Sequence, residues 1–210
     1  MKLARERKII VSCDLNFRKK LWRWNAGASP VDLARETMRN LMPHVDLVIA
    51  NEEDADMCLG IQAPESDVEA GELNPEGYAH VARQIVRQFP HVSRVAITLR
   101  ESISASHNNW GALLFDAASD AVFLAPTDAN GRYQAHEIRN IVDRVGAGDS
   151  FAAGLIFALN TPGLDSPESA LRYAVAASCL KHSIKGDFNY ATRAEIESLM
   201  KGGGSGRVQR

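Results

Sequence analysis

Cysteine is scarce in this chain: Cys13, Cys58 and Cys179 are the only three among 210 residues. They are odd in number, widely spaced and form no C-x-x-C pair, which argues for buried, reduced thiols rather than a disulfide framework or a zinc site. Long apolar runs are missing as well. After the charged start M-K-L-A-R-E-R-K the apolar stretch is only Ile9-Ile10-Val11, too short for a signal peptide, and no segment approaches the length of a membrane span. An excess of charge of one sign is also absent. The net charge is −2 and the basic residues are scattered, so the chain carries no nucleic-acid footprint. There is no internal repeat, and low complexity is confined to the tail Gly202-Gly203-Gly204-Ser205-Gly206, for which flexibility is expected. These absences lead us to expect a cytoplasmic protein without nucleic-acid or membrane partners.

What is present suits one globular unit with a substantial core: 45% of residues are hydrophobic and 24% charged. Short apolar strands are expected over 9–14, 45–50 and 92–99, with helices over 31–42 and 76–89. Pieces at 110–115 and 121–125 read as a hairpin joined by 117–120, and 138–142 as a further strand. Helices then follow over about 148–159, 167–182 and 192–200. Strands alternating with helices predict a three-layer α/β fold with a mostly parallel central sheet, in which ligands lie beyond the carboxyl ends of the strands.

The string D-R-V-G-A-G-D-S-F-A-A-G-L, beginning at Asp143, carries the most chemistry. Gly146 and Gly148 permit a tight turn and close approach of the backbone to a ligand. Phe151, Leu155 and Leu159 then recur every fourth residue on a helix face. A glycine turn feeding a helix N-terminus presents unpaired N–H groups and a positive dipole end, which suit a phosphate. Asp149 lies in that first turn, where the dipole favours a carboxylate. Such a pair fits phosphoryl transfer to a hydroxyl, and it fits equally a helix entry with an acidic residue near its cap.

This string closely resembles the signature of the ribokinase-like sugar kinases, the PfkB carbohydrate kinase family. The resemblance implies that Gly146, Ala147 and Gly148 line an anion hole for ATP phosphate and that Asp149 is the catalytic base. It also implies that the N-terminal strands and lid of such a kinase are missing. Residues 1–200 are then expected to be its C-terminal portion, holding the ATP site and the base, with 201–210 a flexible tail.

Asp14, Asn16 and Arg18 alternate after the first strand, and extended backbone would send all three to one side. A guanidinium fixed there can grip a carboxylate or phosphate in two places, or form an ordinary surface pair. The string S-C-D-L-N-F-R-K-K-L-W looks like the D-x-N-x-R segment of 2-keto-3-deoxygluconate kinases. That likeness implies that Arg18 contacts a sugar acid, with Asn16 and Arg18 near the ATP phosphates. Trp22 and Trp24 are expected to pack on the next helix, although a cover over the sugar is the alternative.

Asn51-Glu52-Glu53-Asp54 reads as helix capping and dipole compensation. The family pattern here is N-x-x-E, which implies a phosphate contact for Asn51 and a magnesium role, through water, for the shorter Asp54. The string T-L-R-E-S-I-S-A-S-H-N-N-W resembles a nucleotide loop, implying ATP contacts for Thr98, Arg100, Ser102, Ser104 and Asn109; a plain connecting loop is the alternative. Gly186-Asp187 reads as a turn, and the resemblance makes Asp187 a substrate residue beside Arg18 and Asp149.

The function expected from the resemblance is phosphorylation of a sugar hydroxyl with ATP and Mg²⁺, 2-keto-3-deoxygluconate giving its 6-phosphate. A kinase for another sugar, such as fructose, is one alternative. A nucleotide-binding fragment without turnover is another, since positioning of the sugar supplies a large part of catalysis. The partners are a sugar acid and ATP, with room for a homo-oligomer of the full-length protein.

Overall fold

The computed structural model describes residues 1–63 and 75–202; of the expected flexible tail 201–210, residues 203–210 lie outside them. The chain forms two compact units, residues 1–98 with 113–122 and residues 99–112 with 123–210. Each contains helices and part of an open, mixed six-stranded sheet.

In the first unit, β1 (Ser12–Asp14), β2 (Leu47–Ala50) and β3 (Arg94–Ser104) run parallel, with Ser12 opposite Leu47 and Leu47 opposite Arg94. All four residues of β2 are buried, as a central strand covered on both faces requires. The helix α1 (Lys2–Glu6) buries nothing, and Ile9 and Ile10, expected in the first strand, lie exposed ahead of it. The helix α2 (Pro30–Leu41) starts where the Ser29 hydroxyl accepts from the Asp32 amide and Pro30 takes the first position. The helix α3 (Glu52–Leu59) begins at a capping box built by Asn51 and Asp54. The helix α4 (Pro75–Gln88) buries Val81 and Ile85, the face that the spacing of four predicts.

The long strands β3 and β4 (His107–Asp116) pass from the first unit into the second. There β6 (His136–Arg139) pairs antiparallel with β4, from His107 opposite Arg139 to Trp110 opposite His136. A further strand, β5 (Ala121–Ala125), follows the expected turn at 117–120. The polar stretch after Thr98, expected as a loop, is instead strand up to Ser104 and again from His107. Backbone pairing satisfies its N–H and C=O groups whatever its side chains, so a polar segment at a sheet end can remain strand.

Helices α5 (Ala147–Leu159), α6 (Pro167–Lys181) and α7 (Arg193–Met200) complete the second unit. They match the sequence expectation within a residue or two. Gly154 lets α5 and α6 approach closely: a Cβ there would lie 3.1 Å from both the Ala174 Cα and the Ala177 Cβ. Serine and threonine caps at Ser166 and Thr192 start α6 and α7.

Candidate active site

The expected site residues divide between the two units. In the second, Gly146 holds a left-handed conformation with φ of 78° and is the N-cap of α5. No side chain caps this helix end, and no hydrogen bond within the described residues takes the amides of Gly148 or Asp149. A Cβ built on Gly148 would meet nothing within 4 Å. Gly148 is helical and faces open space. The tight position is Gly146, where a Cβ would run into the carbonyl oxygen of Asp187 and lie 3.0 Å from its carbon. Free amides around open space are the arrangement a phosphate needs.

Asp143 ties this turn to the chain that follows α6. One carboxylate oxygen accepts from the Val145 amide at 3.0 Å and the other from the Gly186 amide at 2.9 Å. Those two donors hold the Asp143 carboxyl below its ordinary value, with a further contribution from the Lys181 charge. The amides of Val142 and Asp143 also donate to the His182 carbonyl. Behind the helix start, the buried Ser178 hydroxyl donates to the Ala147 carbonyl at 2.7 Å. The signature string contained Asp143, but nothing in its spacing identified the carboxylate as a bridge between two loops.

Asp149 and Asp187 are both exposed and line one pocket of about 500 Å³, together with Ser150, Phe157, Tyr173 and Phe188. The structure thus brings together two of the three expected substrate residues. Among the described residues, no group of three or more His, Cys, Asp or Glu side chains could hold a metal ion.

In the first unit, the extended geometry expected for Asp14, Asn16 and Arg18 is not found. The strand β1 stops at Asp14, and Asn16 has a left-handed φ of 36°, which breaks the alternation of sides. Asparagine tolerates that conformation better than most residues. Asn16 and Arg18 are both exposed. The buried Asp54 accepts from the Phe17 amide at 2.8 Å and from the Asn51 amide at 3.3 Å, while Asn51 Oδ1 accepts from the Asp54 amide at 2.8 Å. Asp54 therefore fastens the Asn16–Arg18 turn to the start of α3. Burial raises its pKa, against the two amides and the Arg18 charge. Each of its oxygens thus accepts one backbone amide. Trp22 and Trp24 pack on each other, with ring centroids 5.2 Å apart, and Trp24 is 63% exposed, so the expected packing of both on the next helix is corrected.

Thr98 is half-buried at the end of the first unit's part of β3. Beyond it, Arg100, Ser102 and Ser104 are exposed and occupy alternate positions on β3. Asn109 donates to Glu101 at 2.7 Å, which places it on the face opposite those three. The Arg144 guanidinium donates to the Ser104 carbonyl and ties the hairpin to the glycine turn.

The pattern of the pfkB family carbohydrate kinases matches residues 1–189. A 2-dehydro-3-deoxygalactonokinase of Haloferax volcanii is 28% identical over 206 residues, covering 98% of this chain and 52% of that protein. The crystal structure of a 2-dehydro-3-deoxygluconokinase from Thermotoga maritima shares 40% identity with a TM-score of 0.78, covering 95% of this chain and 52% of the other. A ribokinase II from E. coli, described as putative and solved with ATP and Mg²⁺, is 19% identical with a TM-score of 0.60, a likeness of fold. The chain spans about half the length of these relatives. No helix among the described residues is long and apolar enough to cross a membrane. With the matched pattern spanning most of its length and a glycine turn opening a helix before Asp149, the chain belongs to the pfkB family of carbohydrate kinases.

Proposed function

We propose that this chain carries the phosphate cradle and general base of an ATP-dependent sugar kinase acting on 2-keto-3-deoxygluconate. The observation that supports this reading is the pairing of unbonded Gly148 and Asp149 amides, open to space, with an exposed Asp149 carboxylate lining a pocket. Asp149 accepts the proton of the sugar's C6 hydroxyl as that oxygen attacks the γ-phosphorus of ATP and the bond to the departing ADP oxygen breaks. The amides at the start of α5 stabilise negative charge on the transferring phosphoryl group. Mg²⁺, when bound, would neutralise phosphate charge, with Asp54 offered to it through water, and Asn51 is proposed as a phosphate contact. Asn16, Thr98, Arg100, Ser102, Ser104 and Asn109 are proposed as ATP contacts.

The choice of a sugar acid rests on Arg18, exposed and therefore available to a carboxylate, with Asp187 contributing to the sugar site. The names of the two kinases similar to this chain agree with that substrate class. ADP release measured with 2-keto-3-deoxygluconate, with a neutral sugar and with no sugar tests the reading. Release that depends on the sugar acid is expected. Mg-ATP binding without sugar-dependent release would leave a nucleotide-binding fragment, and equal rates with fructose would assign a different sugar.

A further inference from the structure

Lys181 is fully buried, yet no step of the proposed reaction uses it. It is the last residue of α6, among the buried residues Cys179, Leu180, His182 and Ile184. Its ammonium donates to the Ile184 carbonyl at 2.9 Å, and burial lowers its pKa against the opposing charges of Asp143 and Asp187. A buried ammonium is costly unless hydrogen-bonded, and the Ile184 carbonyl supplies that bond. The two aspartates form the cradle's support: Asp143 binds the amides of Val145 and Gly186, and the Asp187 carbonyl abuts Gly146.

We propose that Lys181 is a positioning residue for the phosphate cradle, an internal cation that holds the 184–187 segment against the Gly146 turn. The inference rests on the phosphate reading of that turn. Its ammonium anchors Ile184, two residues before the Gly186 amide that the Asp143 carboxylate holds. With that cation in place, the Gly148 and Asp149 amides keep their aim without contact from Lys181 itself.

The test uses Lys181→Met, which retains most of the stem volume without the charge, and Lys181→Ala with added ammonium. In Lys181→Met, hydrogen exchange at the Val145 and Gly186 amides should quicken while amides inside α6 keep their protection. Mg-ATP affinity should fall by about tenfold to a hundredfold, the range for loss of charged hydrogen bonds. Ammonium chloride, and not tetramethylammonium chloride at the same ionic strength, should restore affinity to Lys181→Ala. Unchanged exchange and affinity in Lys181→Met would overturn the inference. So would loss of protection throughout α6 without rescue by ammonium, since that marks a role in packing alone. A wild-type chain that binds no Mg-ATP would overturn the phosphate reading together with this role. Wild-type binding with an unaffected Lys181→Met would overturn the Lys181 role alone.

Discussion

The carbonyl oxygen of Asp187 occupies the place that a Cβ on Gly146 would need. Two residues later, Gly148 faces open space. The two glycines of one motif thus differ physically: Gly146 allows the backbone to turn beneath its neighbour, and Gly148 borders unfilled volume.

Their alanine variants should separate the two positions. Gly146→Ala places a side chain at positive φ and against backbone, so a loss of about 1–3 kcal/mol is expected in denaturant unfolding. Gly148→Ala should leave stability unchanged or raise it by about 0.4–1 kcal/mol, because its helical conformation suits alanine. Calorimetry should nevertheless show weaker Mg-ATP binding for Gly148→Ala, its methyl group intruding on the cradle. Unaltered binding would mean that the open space serves no phosphate.

Asp143 makes a prediction in pH. Donation by the Val145 and Gly186 amides holds its folded pKa below the ordinary 3.8. A depressed carboxyl contributes stability that is fully present above the unfolded value and is lost as pH falls through the folded one. The Gly186 amide chemical shift, followed by NMR during acid titration, should therefore move with a midpoint below 3.8. A midpoint at or above that value would contradict the loop-bridging role.

The glycine turn and its helix were legible because glycines, helix formers and a spacing of four coincide between Gly146 and Leu159. The same held for the bounds of α6 and α7, which begin at the Ser166 and Thr192 caps, although α6 is buried without a break from Tyr173 to Lys181. The hairpin around Ala105 and Ser106 was not legible, since Ser102, Ser104, His107 and Asn109 give no alternation of apolar residues and the strand is held by pairing with β6. Asn16 was misplaced for a related reason: residue spacing gives no φ, and one left-handed residue cancels a period of two. Lys181 gave only the signal of apolar neighbours, and a lysine at a helix C-terminus ordinarily reads as solvated compensation of the dipole.

Arg18 carries the prediction on substrate class. If its fork grips the sugar carboxylate, Arg18→Lys should cost about 1.5–3 kcal/mol, or tenfold to a hundredfold in kcat/KM, for 2-keto-3-deoxygluconate. A neutral sugar should show no comparable loss. Side-by-side kinetics on both sugars checks this, and equal losses would assign Arg18 to ATP or to the fold.

The most direct measurement of the central claim is sugar-dependent ADP release by Asp149→Asn beside Mg-ATP affinity by calorimetry. The substitution preserves shape and the start of α5 while removing the proton acceptor. Affinity should remain near that of the unaltered chain, and turnover should fall by about 10²–10⁴, the usual range for loss of a general base. Turnover within a few-fold of the unaltered chain would contradict the assignment of Asp149 as the base.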